Sequence, residues 1–211
     1  MNIRRNTRTL LRIIVHLGAW LPLAVLVYDY FSGWLSVNPI LDLEQRTGRT
    51  ALTLLILSLS CTPLHSLFGW REILRHRRTL GLYAFMVAAI HLSIFVFLDY
   101  GANFGLIMAD VWKRPFIIVG AITFLILLSL AATSFDVTKV WLKKNWKRLH
   151  RLIFLAAGLD ILHYAWALKG DIFHLQGDII RPLIYACILL VLLILRIRPV
   201  RKFIQSHPLR F

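Results

Sequence analysis

The residues in this chain best able to do chemistry are its eight histidines. Ionisable groups inside long apolar runs are costly and usually functional, so depth decides how each is read. His91 lies in AAIHLSIF and His163 in LDILHYAW, both past the middle of apolar runs that cross in the same direction. Two neutral imidazoles at matched depth on neighbouring helices are a donor set for a six-coordinate haem iron. The bland alternative is two unrelated histidines, each bonded to a backbone carbonyl or a hydroxyl nearby. The matched depth favours ligation.

His150, in KRLHRLIF, stands at the start of the same run as His163, thirteen residues earlier. That separation is roughly 20 Å along a helix axis, which suits two haems stacked across one membrane. A straight helix would turn the two side chains roughly 140° apart, so an irregularity near Gly158, or haems docked on different flanks, is required. A fourth axial ligand would fall at the position of Arg77, with His76 beside it. A guanidinium is a poor ligand because it stays protonated. Either His76 substitutes, or the second haem is weakly held or five-coordinate, or a single haem is bound.

Asp160 is the one acid away from the ends of a run and precedes His163 by one turn, so it is a candidate to orient that imidazole. It could equally pair with a neighbouring helix or face a wet cavity. His16, just inside the first run, reads as an interfacial polar group, with a ligand or a quinone or flavin contact as alternatives. His65, His76, His174 and His207 read as solvated surface residues.

These side chains need elements to position them. The chain has 211 residues, 58% hydrophobic and 17% charged, with mean hydropathy +0.69. A soluble domain averages about 45–50% and about 25%. A helix crossing a bilayer takes about 20 mostly apolar residues. Six runs qualify, at about 13–30, 50–67, 80–98, 116–134, 149–168 and 182–197. The first has arginines before it but no small-residue cleavage site after it, so it reads as a retained span rather than a signal peptide. Alternating strands are absent, which rejects a membrane β-barrel. The expected fold is an all-α integral membrane protein, a single domain over 1–211, built as a six-transmembrane helix bundle with haem in its core.

The charges fix an orientation. Nineteen of the 25 Lys and Arg fall before the first run, between the second and third, between the fourth and fifth, and in the tail. Most acids fall in the other loops. The positive-inside bias then puts both termini in the cytoplasm, as an even number of spans requires. This accounts for the net charge of +15 without nucleic acid, and leaves phosphate binding by the basic loops as a weak signal. Trp34, Trp70, Trp112, Trp141 and Trp146 mark the span ends as an aromatic belt. Two cysteines and no C-x-x-C-H exclude covalent haem attachment and Cys-rich metal sites. No nucleotide-binding motif is present, and the loops are too short to carry a catalytic domain.

Seven stretches in order resemble a known family. They are HLGAWLPL from His16, TGRTAL from Thr47, RRTLGLYAF from Arg77, IHLS around His91, RPFIIVG from Arg114, WKRLHRL around His150 and LHYAW around His163. The chain resembles the ferric-reductase-type transmembrane domains shared with NADPH oxidases. It is most similar to the MsrQ (YedZ) family, the haem-binding membrane subunits of the bacterial methionine sulfoxide reductase system. The resemblance implies an electron-transfer subunit rather than the catalytic one. It implies haem b, one or two, with His91, His163 and His150 as axial ligands to iron, and an association with FMN. It implies electrons carried across the inner membrane to a periplasmic molybdopterin subunit (MsrP-type) that repairs oxidised methionines of envelope proteins. The donor it implies is the quinol pool or a cytosolic flavin reductase. Two other readings use the same residues differently. One is a stand-alone quinol-dependent transmembrane reductase. The other is a haem-free scaffold or transporter, for which Pro22 and Pro63 inside spans are weak support and a missing internal repeat counts against.

Overall fold

The structure is a computed structural model that describes residues 2–168, 178–197 and 199–200. His174 and His207, with Lys169, Asp171, Arg198, Arg201, Lys202 and Arg210 of the charge argument, lie outside the described residues. So do the side chains of Arg4 and Arg5.

The described chain is helical, without a strand. Its helices are α1 (Asn2–Phe31), α2 (Pro39–Phe68), α3 (Ile73–Ser93), α4 (Phe104–Val111), α5 (Pro115–Ala132), α6 (Asp136–Leu149), α7 (Leu152–Ala167) and α8 (Ile180–Ile194). Four segments are long and apolar enough to cross a membrane: Thr7–Phe31, Pro39–Phe68, Ile73–Asp99 and Pro115–Ala132. The expected fifth and sixth spans appear as α7 and α8, of 16 and 15 residues. Both are apolar but shorter than the ~20 residues of a full crossing.

Local chemistry sets the boundaries. The Asn38 side chain accepts from the Leu41 N–H at 3.2 Å and Pro39 fills the first helical position, so α2 begins about ten residues before the apolar run does. Gly69, with φ of 68°, closes α2 by bonding back to the His65 carbonyl. Asn103 caps α4 in the same way as Asn38 caps α2. Past Ser93, α3 continues as a π-helical turn, Ile94–Asp99, of the kind often found beside functional positions.

α2 is the central helix and packs against α1, α3, α7 and α8, while α5 lies along α7. Lipid tails are as apolar as leucine, so helix contacts here depend on close packing. Small residues make it: Ala19, Ala84, Ala156 and Ala157 have no exposed surface. Polar ties sit at the two ends. Arg46 of α2 bridges Asp29 of α1 and Asp42 of its own first turn. At the other end, where most of the described arginines lie, Arg8 pairs with Glu72 at 2.9 Å. Between them, His16 Nδ1 and the Tyr83 hydroxyl share a hydrogen bond of 2.6 Å, so His16 serves as a polar link between α1 and α3.

Two helices were not expected from the sequence. α4 is a short apolar helix in the loop before α5. α6 occupies the basic stretch ahead of α7 and is broken at Lys143, whose φ is 45°.

Candidate functional site

His91 and His163 meet. Their ring centroids are 6.2 Å apart and their planes cross at 80°. His91 sits near the end of α3 and His163 near the end of α7, at the end of the bundle that carries the Asp29–Arg46–Asp42 bridge. Both rings are partly buried.

Each ring is held by its Nδ1 atom. His91 Nδ1 is 3.0 Å from the Glu44 carbonyl in the first turns of α2. His163 Nδ1 is 2.7 Å from the Phe116 carbonyl at the start of α5. A carbonyl has no proton to give, so each Nδ1 carries the hydrogen and donates it. That tautomer leaves Nε2 with a free lone pair, the form of imidazole that binds a metal. Thr47 reinforces it on one side. Its hydroxyl donates to the Leu43 carbonyl at 2.7 Å, and Oγ1 lies 3.3 Å from His91 Nδ1 as a second acceptor. An acceptor on the far nitrogen is the usual outer support of a metal-binding histidine.

Glycines make the room. A methyl group at Gly120 would come 2.8 Å from Cε1 and 2.9 Å from Nδ1 of His163. One at Gly48 would come 3.3 Å from Cε1 of His91. The imidazoles thus lie against the bare backbones of α5 and α2, and Phe116 packs at 6.0 Å from the His163 ring.

Haem can be tested against this donor set. Among the described residues no three His, Cys, Asp or Glu side chains come together to hold a metal ion. A pair of imidazoles alone cannot complete the shell of a bare cation, but it completes that of an iron whose four other positions a macrocycle fills. The two imidazoles lie 6.2 Å apart between centroids, each tied to a carbonyl at Nδ1, which would leave both Nε2 atoms to hold such a group. The residues present fit the group.

The expected second set is not assembled in the same way. His150 closes α6, outside α7, so the helix-wheel arithmetic that set it roughly 140° from His163 does not apply to it. With the helix interrupted at His150 and Arg151, both imidazoles reach α5 or its cap, His150 at the Thr133 end and His163 at Phe116 near its beginning. His150 Nε2 is 3.2 Å from the Thr133 hydroxyl, and its ring stacks on Trp146 at 4.1 Å. Trp146 is fixed in turn by its indole N–H, which donates to the Thr133 carbonyl at 2.9 Å. Arg77 lies within electrostatic reach of His150, while His76 is near His16, Glu72 and Arg12 instead. No histidine stands opposite His150 among the described residues. The Asp160 carboxylate makes no hydrogen bond or ion pair among the described residues, and the Phe116 carbonyl takes the position on His163 Nδ1 for which Asp160 was one candidate.

Sequence reasoning missed three groups. It did not find the two glycines, or the carbonyls of Glu44 and Phe116, which any residue type would supply. It also read His65 as solvated, whereas its Nδ1 is buried without a hydrogen-bond partner.

Comparison with known proteins gives the context. The ferric reductase like transmembrane component family matches residues 47–159. A protein-methionine-sulfoxide reductase heme-binding subunit MsrQ of Xanthomonas axonopodis pv. citri is 40% identical over 189 residues, covering 85% of this chain and 82% of that protein. A protein of the same name from Salmonella paratyphi B is 36% identical over 204 residues, covering 96% of this chain and 99% of its own length.

Proposed function

This chain belongs to the MsrQ family of ferric-reductase-like transmembrane proteins, and from that premise we propose that it is the haem b-carrying membrane subunit of a methionine sulfoxide reductase system. It takes electrons on the cytoplasmic side of a bacterial inner membrane, from the quinol pool or a cytosolic flavin reductase. It delivers them to a periplasmic molybdopterin subunit that reduces methionine sulfoxide in envelope proteins. In this reading six helices cross the bilayer, α7 and α8 included, and both termini are cytoplasmic, because the arginines gather at one end of the bundle.

The observation that carries the reading is the shared tautomer of His91 and His163, each tied at Nδ1 and free at Nε2. These two residues hold the haem, and His150 is the single imidazole offered to a second one. Bound there, haem iron supplies a one-electron site within the bilayer. The chain's own part is placement. α2 and α5 present carbonyls that orient the imidazoles, Gly48 and Gly120 let the rings approach, and the apolar helix faces keep water out. The site lies toward the periplasmic end, on the side where the catalytic partner takes electrons.

Co-reconstitution tests this. Vesicles carrying the full chain and its catalytic partner, given quinol, should reduce a methionine sulfoxide peptide on the partner's side, and His163→Ala should abolish it. Peptide reduction by the His163→Ala protein at the wild-type rate would contradict the reading. Flavin fluorescence of the denatured preparation decides whether FMN accompanies the haem.

A further inference from the structure

A cavity of about 620 Å³ opens at the arginine-rich end of the bundle, between the last turns of α2, the start of α7 and the end of α8. It is far from the His91–His163 pair, and no step proposed above uses it. Its walls include Thr62, His65, Ser66, Arg71, Phe154 and Arg196. None of the described residues that line it is acidic.

Two of these residues have a buried nitrogen that bonds nothing. Arg196 gives one N–H to the Leu59 carbonyl at 2.6 Å, and its guanidinium lies 4.7 Å over the Phe154 ring. Its Nε is buried and bonds nothing. The Nδ1 of His65 is buried and unbonded as well. Both atoms are closed off from water, so the face turned to the open cavity is the rest of each side chain, above all the remainder of the Arg196 guanidinium.

Charge says what that face would take. Arg196 has no carboxylate partner among the described residues, and the charged side chain in its electrostatic reach is another cation, Arg77. A guanidinium withdrawn from water beside a like charge is costly unless an anion joins it. The adjacent hydroxyls of Thr62 and Ser66 are suited to the remaining oxygens of such an anion. Phe68 and Trp70, exposed and 5.4 Å apart, flank the turn that carries the cavity and set it at the level of lipid headgroups.

We propose that this cavity binds a phosphate group, gripped by the Arg196 guanidinium and the His65 imidazole with Arg71 at the mouth. Arginine favours phosphate because its planar fork of donors matches the oxygens. The phosphate belongs either to an anionic lipid of the adjoining leaflet or to a soluble molecule entering from the aqueous side. The two sources share the chemistry of the grip and differ in how they reach it.

The test uses the full chain, purified and delipidated in detergent, with two probes. Phosphatidylglycerol is titrated and read by native mass spectrometry, and inorganic phosphate is titrated by calorimetry. The expected result is one saturable equivalent of one probe, weakened at least tenfold by Arg196→Gln and by His65→Ala. Saturation by phosphatidylglycerol alone assigns a lipid headgroup, and saturation by inorganic phosphate assigns a soluble phosphate. Should Arg196→Gln fail to give a monodisperse protein, His65→Ala and Arg71→Gln decide in its place. No saturable binding of either probe, or wild-type binding by the variants, overturns the proposal.

Discussion

The two ends of this helix bundle hold the same side chain and put it to different uses. At the end that carries the Asp29–Arg46 bridge, His91 and His163 face each other, each clamped at Nδ1 by a backbone carbonyl. At the arginine-rich end, His150 meets no second imidazole among the described residues, and its Nε2 donates to the Thr133 hydroxyl oxygen, whose own proton goes to the Ser129 carbonyl at 2.7 Å. The lesson is that a histidine's partners, more than its depth, decide whether it is free to bind a metal. An acceptor on Nδ1 prepares the other nitrogen. A hydroxyl on Nε2 competes for it.

That contrast can be broken or sharpened in order of effect. Removing an imidazole from the far pair should have the largest one. His91→Ala and His163→Ala should each abolish the six-coordinate haem signal in a reduced-minus-oxidised spectrum, since each takes one axial ligand from the same iron. A wild-type spectrum from either would dissolve the pairing.

Crowding comes next. Gly120→Ala places a methyl 2.8 Å from His163, too close for the ring to stay, and the ring cannot turn without losing the Phe116 carbonyl. Haem occupancy should fall by about 10-fold or more, the scale on which lost support of a metal ligand is felt. Gly48→Ala meets His91 at 3.3 Å, a contact that a small shift relieves, so its loss should be smaller. Haem per polypeptide, measured for both, checks the order.

Weaker still is the Thr47 hydroxyl. Because the Glu44 carbonyl remains, Thr47→Val should cost less than about 10-fold in haem affinity. At the other end, Thr133→Val frees His150 Nε2 and should leave the six-coordinate signal unchanged. Smallest of all is Asp160→Asn. The Phe116 carbonyl already orients His163, so spectrum and midpoint potential should both stay put. A shifted potential would restore Asp160 as an orienting group.

Much of this architecture is legible in the sequence. Apolar runs betray helices, and matched depth paired His91 with His163, because rise per residue is nearly constant along a helix. Arithmetic of the same kind failed for His150, since it took one straight helix through 149–168, where the helix is interrupted at His150 and Arg151. α2 started earlier than its apolar run because Asn38 and Pro39, rather than hydropathy, set its first turn. α6 is amphipathic and basic, so hydropathy reads it as a loop. The carbonyls that fix the tautomer belong to the backbone and leave no mark on residue type. Gly48 and Gly120 are visible as letters, but their meaning lies in an imidazole brought from a distant helix. His65 and Arg196, more than 130 positions apart, share a cavity for the same reason.

The claim at the centre is that the six-coordinate haem belongs to His91 and His163 and owes nothing to His150. Electron paramagnetic resonance of the ferric His150→Ala protein, with haem counted per polypeptide, tests it most directly. The account predicts the low-spin signal of the wild type at one haem per chain, with any second, high-spin haem lost. Disappearance of the low-spin signal in that variant would contradict it.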